Sequence, residues 1–240
     1  MLIKIALNGA RPKTQNDFIP QSLFEIEREV KLIYENGSNT FHIHCYDENG
    51  NESLNPKDVD ALVAMVKSIS PKIQIGISSG DWIEPDLDKR MKCITDWKFV
   101  PDFISVNIIE DDAIKISKLL IAKGVKIEAG LNEKKAAEIF VESDLVDDCL
   151  RVLIEPEPEE FQLTIETINE IEQVLNIAGI KIPRLLHGFN SVAWDVLREA
   201  KRKGYDSRIG MEDTIYLENG VMVNSNLDLI KYANKILGIL

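Results

Sequence analysis

The chain has little cysteine. Cys45, Cys93 and Cys149 are an odd count, and no two share a CxxC spacing. Reduced thiols in a cytoplasmic protein fit this better than a disulfide frame. Also missing is any apolar run near the ~20 residues that a membrane span needs, so no membrane partner is expected. The opening stretch Leu2-Ile3-Lys4-Ile5-Ala6-Leu7 has neither a basic region nor a cleavage site, which predicts no signal peptide. Cations are outnumbered, with 28 Lys and Arg against 40 Asp and Glu and a net charge of −12. Nucleic acid is therefore not an expected partner, because phosphate binding needs clustered Lys and Arg. A small anionic substrate stays admissible, since it needs only a local cationic pocket. No Pro/Gly/Ser-rich linker divides the chain, so residues 1–240 read as one domain.

What the chain does have is alternation. Short apolar runs fall at residues 3–7, 40–45, 73–77, 103–106, 125–129, 150–154, 184–187 and 208–211. Amphipathic segments follow them at about 21–36, 56–70, 86–96, 112–123, 132–142, 159–179, 191–203 and 225–240, with helical spacing such as Leu62, Met65, Val66 and Ile69. Short apolar strands alternating with helices indicate a parallel sheet covered on both faces. Eight of each, in strict order, predict a single (β/α)8 TIM barrel. An open doubly wound sheet is the alternative. It normally carries a glycine-rich phosphate loop after its first strand, and Asn8-Gly9-Ala10-Arg11 is not GxGxxG.

Histidine is scarce too, and two of the three residues stand together in Thr40-Phe41-His42-Ile43-His44-Cys45. On a strand, residues i and i+2 point the same way, so two imidazoles would converge on one side. A lone histidine on an apolar face is usually a satisfied core residue; a His-x-His pair at a strand end is harder to explain so. Barrel active sites gather at the C-terminal strand ends. The residues expected there are Asn8, His42, His44, Ser78, Ser79, Asn107, Glu128, Glu155, His187, Glu212 and Asp213. Helix caps and loop polarity account for some of them. The run Arg208-Ile209-Gly210-Met211-Glu212-Asp213 ends the eighth strand, which a closed barrel places near the second. Glu212 can then complete a His42, His44, Glu212 metal site with an open position, the catalytic kind. Imidazole and carboxylate ligands favour Zn2+, with Mn, Fe or Co as alternatives. The bland reading of Arg208 and Asp213 is a buried ion pair at a strand end, and it is compatible with a role in orienting a ligand or base.

These motifs together resemble one family. The first strand ending Asn8-Gly9-Ala10, the pair His42-Ile43-His44 with Asp47-x-x-Gly50 after it, and the turn Ile77-Ser78-Ser79-Gly80 all fit. So do Arg208-x-Gly210-x-Glu212-Asp213, Gly220 and Ser225-Asn226. The chain resembles the β-keto acid cleavage enzymes, typified by the 3-keto-5-aminohexanoate cleavage enzyme of lysine fermentation. The resemblance implies a zinc barrel that condenses a small β-keto acid with acetyl-CoA, giving acetoacetate and a new acyl-CoA. It implies His42, His44 and Glu212 as metal ligands and Arg208 with Asp213 as a proton-transfer dyad. Ser78 would hold the substrate carboxylate, Ser105 stands where the family has Thr, and a homo-oligomer is expected. Ser79, Asn107 and His187 complete the expected substrate-binding set.

The departures bear on substrate. Arg11 replaces a usual acid, Tyr46 a usual Arg, and Ser78-Ser79-Gly80-Asp81 a usual S-T-G-G; His187-Gly188 stands where many members have a small residue and glycine. His187 either lines the pocket or hydrogen-bonds a loop. Three rivals stay open: a CoA-independent metal lyase or aldolase, a metal hydrolase on the same barrel, and a non-catalytic barrel. The run Glu155-Pro156-Glu157-Pro158-Glu159-Glu160 reads as a helix start whose acids complement the helix dipole, with Glu155 alone placed to reach the pocket.

Overall fold

The computed structural model describes residues 1–239. Strands and helices alternate as β1 (Ile3–Ala6), α1 (Leu23–Glu35), β2 (Thr40–His42), α2 (Pro56–Ile69), β3 (Gln74–Ser78), α3 (Leu87–Asp96), β4 (Phe103–Asn107) and α4 (Ala113–Ala122). They continue as β5 (Lys126–Leu131), α5 (Lys134–Glu142), β6 (Cys149–Ile154), α6 (Phe161–Ile177), β7 (Arg184–Leu186), α7 (Ala193–Lys203), β8 (Asp206–Ile209) and α8 (Asn226–Leu237). Each strand pairs in parallel with the next. β8 returns to β1 through Ile3↔Ser207, Lys4↔Arg208 and Ile5↔Ile209, so the sheet closes into the expected (β/α)8 barrel. Among the described residues no helix is long and apolar enough to cross a membrane.

Local sequence sets the helix starts. Ser22 and Glu25 form a reciprocal capping box, Asn55 caps a helix whose first residue is Pro56, and Asp86 and Ser225 accept backbone N–H bonds. Each such cap contributes about 1 kcal/mol.

Alternation along the strands then splits the barrel into two shells. Ile5, Leu7, Phe41, Ile43, Ile75, Ile77, Ile104 and Ile127 share a buried cluster with Val30 and Ile33 of α1 and Leu62 and Val66 of α2. On the other half, Val152, Ile154 and Leu186 pack with Phe140 of α5 and Ile168 and Leu175 of α6. Cutting one such side chain to Ala costs about 2–5 kcal/mol.

The inner shell is polar and charged. Lys4, His42, Ser105, Glu128, Arg151 and Arg208 are all buried. Halfway down the barrel, Lys4 hydrogen-bonds Glu128. Ser105 Oγ donates to Glu128 Oε2 at 2.7 Å, and Arg151 Nε stands 3.2 Å from Oε1. Lys4 and Arg151 each lie 5.7 Å from the centre of the Phe103 ring. Burial would raise the Glu128 pKa, but Lys4 and Arg151 outweigh it and hold the carboxyl below its usual range. Burial lowers the Lys4 pKa, against the pull of Glu128. Glu128, expected at a strand end, sits here instead, because β5 runs on to Leu131.

Most elements fall within about two residues of their expected places. β8, expected at 208–211, is found at Asp206–Ile209. Its polar start is what tied it down: Asp206 Oδ1 accepts the Leu2 N–H at 2.7 Å, and Ser207 Oγ donates to the Leu186 carbonyl at 2.7 Å. It ends at Gly210, where the Asp213 and Thr214 N–H groups turn back onto the Gly210 carbonyl. β2 likewise stops at His42, leaving His44 two residues past the strand end.

Candidate active site

The strand ends surround a cavity of about 370 Å³ lined by His42, His44, Ser78, Ser105, Asn107, Glu155, Arg208 and Glu212, with Arg11, Trp82, Asn132, Glu157 and Phe189 nearer the rim. Two close approaches shape it. Gly210 passes so near β1 that a Cβ there would lie 1.8 Å from the Ala6 carbonyl oxygen. Gly9 takes φ +57°, and a Cβ there would lie 2.2 Å from Glu212 Cγ. Glycine at both places lets the β8 loop fold Glu212 in toward β2.

Glu212 thereby meets both histidines. Its Oε2 stands 3.8 Å from His42 Nε2 and its Oε1 3.7 Å from His44 Nε2. The imidazole centroids are 5.1 Å apart and steeply inclined. One donor atom from each of the three residues lies within 4.8 Å of the others, and this is the group among the described residues that could hold a metal ion. Tetrahedral zinc with bonds of about 2.0–2.2 Å wants ligand atoms roughly 3.4 Å apart, so small side-chain movements close the site. The donor chemistry fits as well. Glu212 Oε2 is buried without a hydrogen-bond partner among the described residues, an unmet need that a cation would fill.

Electrostatics prepare Glu212 and His42 as ligands, whereas His44 gives up a proton when a metal binds. Burial would raise the Glu212 carboxyl, but Arg208 and then the two imidazoles hold it well below the usual carboxylate range. Burial drives the His42 pKa well down despite Glu212, so its ring is a neutral donor. Burial also opposes charge on His44, yet Glu212 and Glu52 outweigh it and push the pKa up to about 9.

Arg208 organises the second half of the site. Its Nη2 donates to Glu212 Oε1 at 2.8 Å and to Asp213 Oδ1 at 2.7 Å, and its Nε donates to Asp213 Oδ1 at 3.0 Å. These carboxylates raise its pKa further against the cost of burial, so it stays cationic. Asp213 is fully buried behind Arg208 and does not line the cavity; its Oδ2 has no hydrogen-bond partner among the described residues. His187 lies behind the wall as well, between Asp213 Oδ1 at 3.3 Å and Glu155 Oε2 at 3.4 Å. Ser79 is buried and off the cavity, whereas Ser78, Ser105 and Asn107 line it. Because Ser105 gives its single proton to Glu128, it offers the cavity lone pairs rather than a donor.

The departing residues tie the site together. Arg11 donates to the backbone carbonyl of Glu212 at 3.2 Å from both Nε and Nη2, and to that of Asp213 at 3.2 Å. Tyr46 donates its hydroxyl to the Gly9 carbonyl. Sequence reasoning missed Glu52, which touches His44, and the Lys4–Arg151 framework beneath Ser105. A signal for the latter was present: Lys4 and Arg151 are single charges inside otherwise apolar strands, and Glu128 shares β5 only with Lys126 at the strand's exposed start.

A family model described as beta-keto acid cleavage enzyme matches residues 1–181 and 155–240. The chain is 24% identical over 253 residues to a 3-keto-5-aminohexanoate cleavage enzyme of Fusobacterium nucleatum subsp. nucleatum and 24% identical over 254 residues to one of Acetoanaerobium sticklandii. Each match covers 96% of this chain and 89% of the relative. Among solved structures, the apo form of ObcA and its ternary complex with a C4-CoA adduct and oxalate superpose with TM-scores of 0.65 and 0.67 at 15% identity. They cover 92% of this chain, which spans only 61% and 63% of theirs, and they carry the likeness of fold alone.

Proposed function

Because the chain belongs to the β-keto acid cleavage enzyme family, we propose that it condenses a small β-keto acid with acetyl-CoA, yielding acetoacetate and a new acyl-CoA. The observation that carries the reading is the convergence of His42, His44 and Glu212 beside the ion-paired Arg208 and Asp213. A divalent metal held by the first three, Zn2+ by ligand preference with Mn, Fe or Co as alternatives, would supply Lewis acidity that polarises the keto carbonyl.

The chain's own residues do the rest. Ser78 and Asn107 face the cavity as hydrogen-bonding groups for the substrate carboxylate. Arg208 presents the dyad to the cavity and pairs with Asp213 behind it. Because Asp213 lies behind Arg208, the α-proton reaches it through the guanidinium, which takes the proton from carbon as it passes one of its own N–H protons to Asp213 Oδ1. The α-carbon then bonds to the acetyl carbon as the CoA thiolate leaves. That thiolate adds to the keto carbon of the adduct, and cleavage of the carbon–carbon bond releases the acyl-CoA and, once the proton returns, acetoacetate. Arg208 and polar groups of the wall stabilise the oxyanions that form along the way. His187 and Ser79 support the wall from behind. CoA use gains support from the ObcA complex, in which that protein holds a C4-CoA adduct. The proposal places the enzyme in the cytoplasm as a homo-oligomer, as the family resemblance implies.

The test is mass spectrometry of acyl-CoAs after incubation with acetyl-CoA and a panel of β-keto acids. A new acyl-CoA with stoichiometric acetoacetate is the expected result and names the substrate. Cleavage of the acid without any acyl-CoA would replace this reading by a CoA-independent lyase.

A further inference from the structure

The segment after β2 folds back on itself. Asp47 N–H bonds the Asn51 carbonyl at 2.8 Å, Gly50 N–H the Asp47 carbonyl at 3.1 Å, and Ser53 N–H the Cys45 carbonyl at 2.9 Å. The Asp47 carboxylate fixes the bend by accepting the N–H groups of Asn49 at 2.8 Å and Asn51 at 2.9 Å, and Gly50 supplies φ +80°. Tyr46 and Glu52 then face each other as an antiparallel bridge. The turn thus carries Glu52 back to His44.

Both oxygens of Glu52 are used there. Oε1 lies 2.9 Å from His44 Nδ1, and Oε2 accepts the indole N–H of Trp82 at 2.7 Å. The indole lies nearly parallel to the His44 ring, 23° off with centroids 6.4 Å apart. Carboxylate, imidazole and indole form a closed brace joining the β2–α2 loop to the β3–α3 loop.

We propose that Glu52 is a positioning residue for the metal site, with Trp82 as its anchor. An imidazole can carry its proton on either nitrogen, and a carboxylate at Nδ1 keeps that proton there. Nε2, the nitrogen 3.7 Å from Glu212 Oε1, is then left as the donor atom. The same bond stops the ring from turning away, and Trp82 stops Glu52 from turning away with it. The inference rests on the metal reading of His42, His44 and Glu212.

The test measures metal affinity rather than turnover. Metal-free protein is titrated with Zn2+ against a chromophoric chelator, and with Co2+ while its visible absorption reports ligand geometry. Thermal unfolding of the metal-free forms is the control for a purely structural role. Glu52→Ala is expected to weaken Zn2+ binding by about 10–100-fold. Glu52→Gln, which keeps the shape and an acceptor oxygen, and Trp82→Phe, which keeps a ring but loses the N–H, are expected to weaken it less. The Co2+ spectrum should change in Glu52→Ala, and metal-free melting temperatures should stay near wild type. Glu52→Gln carries the test if Glu52→Ala does not fold. Wild-type affinity and an unchanged Co2+ spectrum in the Glu52 variants would overturn the role of Glu52 alone. Failure of the unsubstituted protein to bind either ion would overturn the metal reading and this inference with it.

Discussion

Two charged clusters sit one above the other inside the same barrel, and they are built for opposite ends. The lower one, Lys4, Glu128 and Arg151, wraps a single carboxylate in two cations and a hydroxyl, away from the cavity. The upper one, Arg208, Glu212 and Asp213 with His42 and His44, sets two carboxylates against one guanidinium and leaves Glu212 Oε2, Asp213 Oδ2 and His42 Nδ1 without hydrogen-bond partners among the described residues. Burying charge is costly unless it is paired, so the lower arrangement serves the fold. Both clusters leave buried atoms without hydrogen-bond partners among the described residues, Glu128 Oε1 and Arg151 Nε in the lower one included, so what separates them is the balance of charge. Without a metal the upper cluster offsets its second carboxylate by protonating His44, whose pKa is pushed up to about 9, and a divalent cation would take over that charge.

Substitutions in the two clusters should therefore differ in kind. The largest effect is expected at the mouth. His42→Ala or Glu212→Ala should abolish turnover in the acyl-CoA assay while metal-free stability, read by urea unfolding, changes little. Asp213→Asn is expected to keep the metal and lose about 10²–10⁴-fold in kcat, the usual weight of a general base. Wild-type kcat in that variant would remove the dyad from the reaction. In the lower cluster the signs reverse. Glu128→Ala leaves Lys4 and Arg151 buried without their anion, and urea unfolding should show a loss of roughly 3–5 kcal/mol. Metal affinity in the folded fraction should hold.

The smallest effect is expected at Glu110, in the loop between β4 and α4. Burial and then Asp81 push its carboxyl up to about 7, with Arg90 pulling the other way. An acid raised on folding stabilises below its unfolded pKa and loses that contribution as pH rises through the folded value. Relative to Glu110→Gln, the wild type should lose on the order of 1–2 kcal/mol between about pH 4.5 and pH 7, allowing for solvent screening. Urea midpoints of both proteins across that window check it.

Different parts of this were legible to different degrees. The barrel could be read from alternation because each strand is short, apolar outward and bounded by helix caps. His42, His44 and Glu212 could be read because the closure of β8 on β1 brings strands two and eight together, which topology alone requires. Glu52 was hidden, since only the turn at Asp47–Gly50 returns it across eight positions to His44. Asp213, expected at the strand end beside Arg208, pairs with it from behind the cavity wall, because the chain turns at Gly210 rather than continuing the strand. Glu128 shows the same difficulty in reverse: a strand's end depends on its neighbours' pairing, and β5 continues beyond it against β4 and β6.

The most direct measurement is the metal content of the purified protein by elemental analysis, with Glu212→Ala alongside. One divalent transition-metal ion per chain in the wild type, zinc foremost, and none in Glu212→Ala is the expected result. A wild-type protein that carries no metal and takes none up from added Zn2+ or Co2+ would contradict the account.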